Sequence, residues 1–431
     1  MRPAAVNGTR ALAAAADSLA GKLVVPPSAE EGWRRQSLSK GAAGVAILHG
    51  VRAQNGQGSL ALAHTWLRRA AAGGVTDGSR AGLWFGAPAV AFAIAASAPR
   101  HYPEASLALK SLISDMTRAR LHDAHARIDA AARPPLEEYD LVRGLSGLGA
   151  CLLGSDPDSG LLAQVLHYLV RLTAPVPAAD TAGPAAPGWW SSSNPNLTTS
   201  IPGGHGNFGM AHGISGVLAL LALSACHGIT VPGQAEAIDR ICDWLDAWRQ
   251  PGPAGPWWPA WITIAELREG RPSRPGPGRP SWCYGTPGIA RALQLAALAR
   301  CDKQRQAEAE DALARCVTDP AQTALLTGPG LCHGWAGTTA ATWHAARDSG
   351  DAALNAAAGA LAGPLASSAG GDQTKPGSPS PRKSSYSMSA NCIGPSPSAI
   401  STTGKSRPSR ASASCTIGAN SRSAISSFAW P

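Results

Sequence analysis

The sequence predicts an all-α fold built from repeated helical hairpins. Six glycine motifs of the Gly-x-x-Gly type begin at residues 41, 86, 144, 213, 285 and 334, each followed by small and apolar residues. The second copy, Gly86-Ala87-Pro88-Ala89, has lost its second glycine. A unit that recurs at such intervals is typical of repeat architectures, in which no unit buries its apolar face alone. Hairpins of this kind either stack into a solenoid or close into a ring.

Each repeat contains two helices. The run after the fifth motif, residues 289–298, has few β-branched residues and a helical composition. Further helices lie between the motifs, such as residues 235–248, where Ile238, Ile241 and Leu245 recur at helical spacing. The glycines permit a tight turn and a close approach of neighbouring backbones. If the hairpins close into an α/α toroid, these turns crowd around the central axis, together with the residues just before them.

Two of the glycine turns are preceded by residues that bind metals. Trp282-Cys283-Tyr284-Gly285 supplies one thiol, and Leu331-Cys332-His333-Gly334 supplies a thiol and an imidazole. Cys283, Cys332 and His333 suit Zn²⁺, and no fourth ligand motif is recognisable, which is typical of an open, catalytic site. The additional ligand that best suits a thiolate-rich zinc is another thiol. Because Cys332 and His333 are adjacent, both reach one metal only if they lie in the turn before the helix.

The ordered set of motifs resembles the lanthionine synthetase C (LanC) family, the zinc-dependent cyclases of lanthipeptide biosynthesis. The resemblance rests on Trp282–Gly285, Cys332–Gly334, Ala211–Gly216 and Asp140 ahead of Arg143–Gly147, and it covers about residues 37–345. It implies an α/α toroid, a double ring of seven helical hairpins, of which about six are recognisable here. It also implies Zn²⁺ as the cofactor. The chain length, with a short segment before the first motif, resembles the stand-alone cyclases.

The resemblance further implies a Michael-type addition. The thiolate of a precursor-peptide cysteine adds to dehydroalanine or dehydrobutyrine and closes a lanthionine-type thioether ring. His212 is the leading candidate for protonating the enolate, because a histidine ordinarily titrates near neutrality. Asp140 would orient a histidine or take the thiol proton, and the sequence does not divide these roles. Tyr284 would donate a hydrogen bond to the oxyanion. Arg279, which stands where the family pattern has an arginine, would stabilise negative charge.

Each assignment has a structural alternative. The three ligands could form a structural zinc site or plain core, His212 could cap a helix, and Asp140 could be a turn or capping acid. Tyr284 could serve in packing, and Arg279 could be a surface charge in a proline-rich loop. Other residues are interpreted as structural. His205 and Asn207 would serve in a loop, and the tryptophan segments 189–190 and 257–261 would anchor loops. The small buried residues would include Cys151, Cys226, Cys242, Cys301 and Cys316.

Composition restricts the function class. Nine cysteines, an odd number without regular spacing, argue against a disulfide scaffold. They predict a reducing compartment, which places the protein in the cytoplasm. A position at the periphery of a membrane-associated complex stays open. No run of 18 apolar residues indicates a membrane span, and residues 1–23 lack a secretory h-region. Residues 366–431 hold seven Lys or Arg and one acid, so they carry six of the nine net positive charges. Nucleic-acid binding would rest on this tail alone and is not predicted.

Three regions follow: a helical lead-in at residues 1–36, the toroid with its zinc site at 37–365, and a Ser-, Pro- and Arg-rich tail at 366–431. The tail cannot bury enough apolar area to offset its ordering entropy. It stands where the resemblance expects a seventh hairpin. Either it is a natural disordered extension, or the reading frame shifts near residue 365, and the abrupt change favours a shift. A shift would leave an open ring with an apolar seam, and translating the other frames of the gene tests it.

Three functions stay open at this stage. The first is a cyclase acting on a LanA-like precursor peptide, with a separate dehydratase and a peptide exporter as further partners. The second resembles the LanC-like branch that adds glutathione to dehydroamino acids on proteins. The third is a zinc-bearing scaffold that binds a peptide or a dehydratase without catalysis. Asp140, His212 and Tyr284 beside the ligands favour catalysis, since a structural zinc needs none of them.

Overall fold

The chain folds into two layers of helices. The computed structural model describes residues 3–27, 34–175, 186–194 and 201–370 of the 431 residues. Within them only one short ribbon of strands interrupts the helices, so the predicted all-α class is confirmed. The helices are α1 Pro3–Lys22, α2 Ala42–Gln54, α3 Leu60–Ala71, α4 Ala87–Ser97, α5 Pro103–Asp129, α6 Leu136–Tyr139, α7 Leu145–Ser155, α8 Gly160–Leu172, α9 Ile214–Cys226, α10 Gln234–Ala247, α11 Ile264–Glu269, α12 Thr286–Arg300, α13 Lys303–Thr318, α14 Pro320–Thr323, α15 Trp335–Ser349 and α16 Ala352–Gly370.

The inner layer consists of the six helices that follow the glycine motifs. They pack side by side in chain order, from α2 to α4, α7, α9, α12 and α15. Each packs against the helix that follows it in the outer layer, namely α3, α5, α8, α10, α13 and α16. Helix α1 packs against α16, so the first and last outer helices meet. Among the described residues, seven outer helices therefore surround six inner ones. The predicted lead-in helix is a member of the outer layer.

Inner and outer helices begin in different ways. Several outer helices start at a side-chain cap: Ser59 Oγ accepts a hydrogen bond from Ala61 N at 3.2 Å, and Asp302 Oδ1 accepts one from Arg305 N at 2.9 Å. The inner helices instead start at the first glycine of each motif, with no side-chain cap. Their early N–H groups bind the preceding turn, as Gly288 N does when it donates to Ser281 O at 3.4 Å.

In the five motifs that keep it, the second glycine is required by a close backbone approach. A Cβ on Gly288 would lie 2.0 Å from the carbonyl oxygen of Trp282, and one on Gly337 would lie 1.7 Å from that of Leu331. In five copies the crowded carbonyl belongs to the residue three places before the first glycine. The turn thus folds back onto its own helix, which leaves no room for a side chain.

Backbone hydrogen bonds join the turns of neighbouring inner helices. Leu141 N donates to Ala211 O at 3.1 Å, Ala211 N donates to Cys283 O at 3.3 Å, and Cys283 N donates to Cys332 O at 3.1 Å. These bonds form a belt at one end of the ring. The belt fixes side by side the residues that precede the glycines.

A two-stranded ribbon lies beside the belt. Strand β1, His205–Asn207, pairs antiparallel with β2, Trp261–Thr263. Tryptophans hold it in place: the indole N–H of Trp190 donates to Gly203 O at 2.9 Å, and that of Trp258 donates to Leu245 O at 2.7 Å. These contacts support the predicted anchoring role of the tryptophan segments, whereas the sequence did not predict the strands.

Several further predictions meet the structure at particular residues. Helix α16 continues past the predicted boundary at residue 365 and contains Pro364. The rest of the predicted tail, residues 371–431, lies outside the described residues. Cys151, Cys242 and Cys316 are buried as predicted, but Cys226 and Cys301 are only half-buried. Of the helices described, none is long and apolar enough to cross a membrane.

Candidate metal centre and active site

Three ligand-type side chains meet where the turns before α12 and α15 adjoin. The Sγ atoms of Cys283 and Cys332 and a ring nitrogen of His333 all lie within 4.8 Å of one another. Cys283 is buried, whereas Cys332 and His333 are exposed. The two neighbouring residues reach one point because they lie in the turn before α15, which begins at Trp335. In the part of the chain that the structure describes, this is the one cluster of three such residues.

The cluster fits a zinc ion. Tetrahedral Zn²⁺ bound by two thiolates and an imidazole needs ligand atoms about 3.5–3.8 Å apart, from the usual metal–ligand distances. Ligand atoms that all lie within 4.8 Å of one another need only small side-chain adjustments to meet that geometry. Two sulfurs and one nitrogen also match the ligand types that zinc prefers.

A hydrogen bond links the two thiols. The hydrogen bond from Cys332 holds the pKa of the Cys283 thiol well below its usual value, with help from His333 and Ser281 and against the effect of burial. The same hydrogen bond raises the pKa of the Cys332 thiol, while the nearby charge of Arg279 lowers it. The pair therefore supplies one thiolate readily, and a cation is needed for both to ionise.

A buried acid orients a histidine beside this cluster. Nδ1 of His212 lies 2.6 Å from Oδ2 of Asp140. The other oxygen, Oδ1, accepts hydrogen bonds from Arg143 N at 2.6 Å and Gly144 N at 2.8 Å. The Asp140 side chain is 0% exposed, and that of His212 is 27% exposed. Asp140 thus caps its own turn and also fixes the imidazole, leaving Nε2 as the ring nitrogen free for chemistry.

Tyr284 stands next to His212. Their ring centroids are 6.3 Å apart, and a Trp261 ring meets the tyrosine edge-on at 6.1 Å. Asn207 Nδ2 donates to the tyrosine hydroxyl at 3.4 Å, and Asn207 Oδ1 accepts from Gly209 N at 3.0 Å. The strand residue Asn207 therefore positions Tyr284, a role that the sequence analysis had left as structural.

Arg279 and His205 complete the predicted set. Arg279 is exposed, and its charge acts on Cys332, so it lies at the edge of the metal cluster. His205 is fully buried in β1, and burial lowers its pKa to about 4, so it is neutral at physiological pH. The belt thus brings together the predicted metal ligands, His212, Asp140 and Tyr284, with Arg279 at their edge. His205 lies behind them in the ribbon.

Sequence reasoning missed Arg120 and Ser281. The Arg120 guanidinium, on outer helix α5, donates to the carbonyl oxygens of Arg143 and Ala81, the second at 2.7 Å. It therefore ties the turn of Asp140 to the segment before α4, and no motif marks it. Ser281 Oγ accepts from Tyr284 N at 3.3 Å, and it stands four residues before its glycine, as Asp140 does before Gly144. That shared position is a signal that could have found Ser281.

The profile of the lanthionine synthetase C-like protein family matches residues 32–389. The chain belongs to this family. The nisin biosynthesis protein NisC of Lactococcus lactis subsp. lactis is 25% identical over 215 residues, which are 48% of this chain and 49% of NisC. The chain therefore spans about half the length of this curated relative. The solved structure of a nisin cyclase superposes with a TM-score of 0.62 and 18% identity, over 81% of this chain and 84% of that one. This likeness establishes the α/α toroid as the fold of this LanC-like protein.

Proposed function

We propose that this LanC-like protein is a zinc-dependent lanthionine synthetase. In this proposal it adds cysteine thiols of a ribosomal precursor peptide to dehydroalanine or dehydrobutyrine residues of the same peptide. The observation that carries the proposal is the hydrogen-bonded Asp140–His212 pair on the same belt as the cluster of two thiols and an imidazole. A purely structural metal site needs no oriented, half-exposed histidine beside it.

The metal would be held by Cys283, Cys332 and His333. When bound, Zn²⁺ supplies a Lewis acid that holds a substrate thiol as its thiolate. Cys332 and His333 are exposed, so a peptide sulfur can approach from their side, while Cys283 closes the buried side.

His212 would carry the proton through the reaction. Its Nε2 takes the proton released from the substrate thiol, and the thiolate sulfur forms a bond to the β-carbon. The π bond between the α- and β-carbons breaks, and its electrons pass to the carbonyl to give an enolate. His212 then returns the proton to the α-carbon, so no other acid is consumed. Asp140 does not reach the substrate in this scheme, because both of its oxygens are engaged. It stabilises the imidazolium instead.

Tyr284 and Arg279 would stabilise the enolate oxygen. The Tyr284 hydroxyl accepts a hydrogen bond from Asn207, which fixes its position beside His212. The exposed guanidinium of Arg279 adds positive charge at the edge of the cluster. Donors fixed before the reaction begins stabilise a developing oxyanion at little reorganisation cost.

The proposal implies partners. Because the acceptor is a dehydroamino acid, a dehydratase must act on the precursor peptide first, and an exporter would remove the product. NisC is by name a protein of nisin biosynthesis, which supports a peptide of the same chemical class as substrate. We place the reaction in the cytoplasm, where thiols stay reduced.

The test uses a synthetic peptide that contains one dehydroalanine and one cysteine. Cyclisation leaves the mass unchanged and removes the thiol, so it is followed by loss of alkylation with iodoacetamide. The wild type should consume the thiol, and His212→Ala should retain zinc but react about 10²–10⁴-fold more slowly. An unaltered rate in His212→Ala would remove this residue from the mechanism, and loss of metal would make it a ligand. A dehydroalanine peptide without cysteine, offered with glutathione, tests the alternative thiol donor.

A further inference from the structure

The residue directly before the first glycine is at least partly exposed in every repeat. None of these residues is buried, whereas the residue two places earlier is buried in five of the six repeats. The site uses three of them, and three others take no part in the proposed reaction. The six residues at this position are Lys40, Phe85, Arg143, His212, Tyr284 and His333.

The three unused residues occupy adjacent turns. Leu38 N donates to Trp84 O at 3.0 Å, which joins the turn of Lys40 to that of Phe85. A Cβ on Gly82 would lie 2.7 Å from Arg143 Cα, so the turn of Phe85 packs directly against that of Arg143. The next bond of the belt, described above, joins the turn of Arg143 to that of His212. Lys40, Phe85 and Arg143 therefore form one continuous half of the rim, beside the half that holds the candidate site.

The positive charges of this half-rim have no counter-charge. The Lys40 ammonium and the Arg143 guanidinium form no ion pair or side-chain hydrogen bond among the described residues. The Nε atom of Arg143 is buried and has no hydrogen-bond partner. The acid of these turns, Asp140, is occupied by its own backbone and by His212. The charge of Arg120 lies close to Arg143 as well. A partly exposed guanidinium without an ion-pair partner among the described residues favours an anion supplied by a ligand.

We propose that Lys40, Phe85 and Arg143 form a subsite that binds a carboxylate of the peptide substrate, next to the residues that react. This inference rests on the proposed function, because the substrate must lie across the ring end to reach both halves of the rim. Arg143 would bind the carboxylate in a fork of two hydrogen bonds, Lys40 would add charge, and Phe85 would cover the adjoining carbons. The carboxylate belongs either to an acidic side chain or to the C-terminus of the peptide.

The experiment measures binding of synthetic peptides by fluorescence anisotropy. One cysteine peptide, blocked at both ends, carries a single Glu at each of several positions in turn, and each version is paired with its Gln counterpart. A further pair differs only in a free or amidated C-terminus. We expect the wild type to bind one carboxylate form about tenfold more tightly than its neutral partner, which corresponds to about 1.4 kcal/mol. Which pair responds identifies the source of the carboxylate.

Variants assign the preference to the half-rim. Arg143→Gln should abolish the preference for the carboxylate peptide, and Arg143→Lys should keep part of it. Arg249→Gln is the control, because this exposed arginine pairs with Glu308 of α13, and it should leave the preference unchanged. Equal binding of all pairs to the wild type, or an undiminished preference in Arg143→Gln, would overturn the subsite. Failure of the proposed function would give a different result. The cysteine peptides and their serine counterparts would then bind equally, and the comparison of Glu with Gln peptides could still be made.

Discussion

The two sides of the inner ring differ in the burial of their helices. On α9 every residue from Ile214 to Ser224 is buried, and on α12 every residue from Thr286 to Ala297 is buried. On α2, by contrast, Val51 is 43% exposed, and on α15 Trp343 is 51% exposed. The first two helices have an inner neighbour on each side. Helices α2 and α15 are the ends of the described series, and within the described residues they share no comparable surface with each other.

The difference shows what an inner helix requires. A helix that is apolar all round is stable only when neighbours cover it on every side. Among the described residues, seven outer helices enclose six inner ones, and none of the described inner helices lies between α15 and α2. The shifted reading frame, and the open ring with an apolar seam that it would leave, stay predictions, because residues 371–431 lie outside the described part of the chain.

The candidate site lies across the boundary between the two sides. Cys283, Asp140 and His212 belong to turns between well-covered inner helices, and Cys283 and Asp140 are buried. Cys332 and His333 belong to the last turn of the described series, and both are exposed. The buried turns therefore supply rigidity, and the exposed last turn supplies access together with two of the three metal ligands.

The largest expected effect concerns the glycine turn that carries Cys283. In Gly288→Ala the new Cβ would lie 2.0 Å from the carbonyl oxygen of Trp282, so the turn must move. We expect zinc content to fall to background, measured by elemental analysis of the purified variant. Gly363→Ala is the control, because a Cβ there meets nothing within 4 Å. It should retain zinc and gain about 0.5–1 kcal/mol of stability from helix propensity. Retention of zinc by Gly288→Ala would show that the turn tolerates displacement.

A pair of core substitutions tests the two sides directly. Leu218→Ala, on α9 at 0% exposure, should lower the free energy of unfolding by about 2–5 kcal/mol, because it leaves a cavity. Val51→Ala, at an exposed position of α2, should lower it by about 0.5 kcal/mol or less. Both values come from urea unfolding. Equal losses would mean that the face of α2 is covered in solution, and the comparison would fail.

Acid should destabilise the protein through His205. Burial lowers its folded pKa to about 4, so between pH 6.5 and 4 the unfolded chain binds a proton that the folded protein does not. Stability is therefore full above pH 6.5 and falls with decreasing pH by up to about 3 kcal/mol. His205→Gln should flatten this part of the pH profile of unfolding. His101→Gln, at an exposed histidine, should not. An unchanged slope in His205→Gln would contradict the assignment.

A smaller effect is expected at the exposed tryptophan of α15. Trp343→Ser should lower the free energy of unfolding by about 1–2 kcal/mol, since half of the side chain is exposed and the rest packs against His344 and Arg347. It should also reduce self-association, measured by light scattering, because an exposed aromatic ring is removed. A loss of several kcal/mol would indicate that another part of the protein covers this tryptophan.

Much of the ring could be predicted from the sequence, because the signals of each repeat lie close together along the chain. The glycine motif, the helix after it and the ligands before it lie within a few residues, and the six turns are found where expected. The ribbon was missed because its strands have three residues each and pair His205 with Thr263, far along the chain. The role of α1 was missed for the same reason, since its partner is α16. Arg120 acts across the layers and leaves no local pattern.

The separate roles of Asp140 and His212 could be assigned only from the structure. The sequence allowed Asp140 to be a capping acid or a catalytic one. The structure gives it both a cap and a histidine, with one oxygen for each. Such a double role depends on a contact between two turns, which spacing along the chain does not encode.

The most direct test of the account is the zinc content of the whole protein, with Cys332→Ser and Cys242→Ser measured beside it. Cys332 lies on the exposed last turn of the described series, and Cys242 is a buried cysteine of α10. We predict about one zinc per chain in the wild type and in Cys242→Ser, and none in Cys332→Ser. A folded wild type without zinc, or a Cys332→Ser variant that keeps it, would contradict the claim that the turns of this ring hold a metal centre.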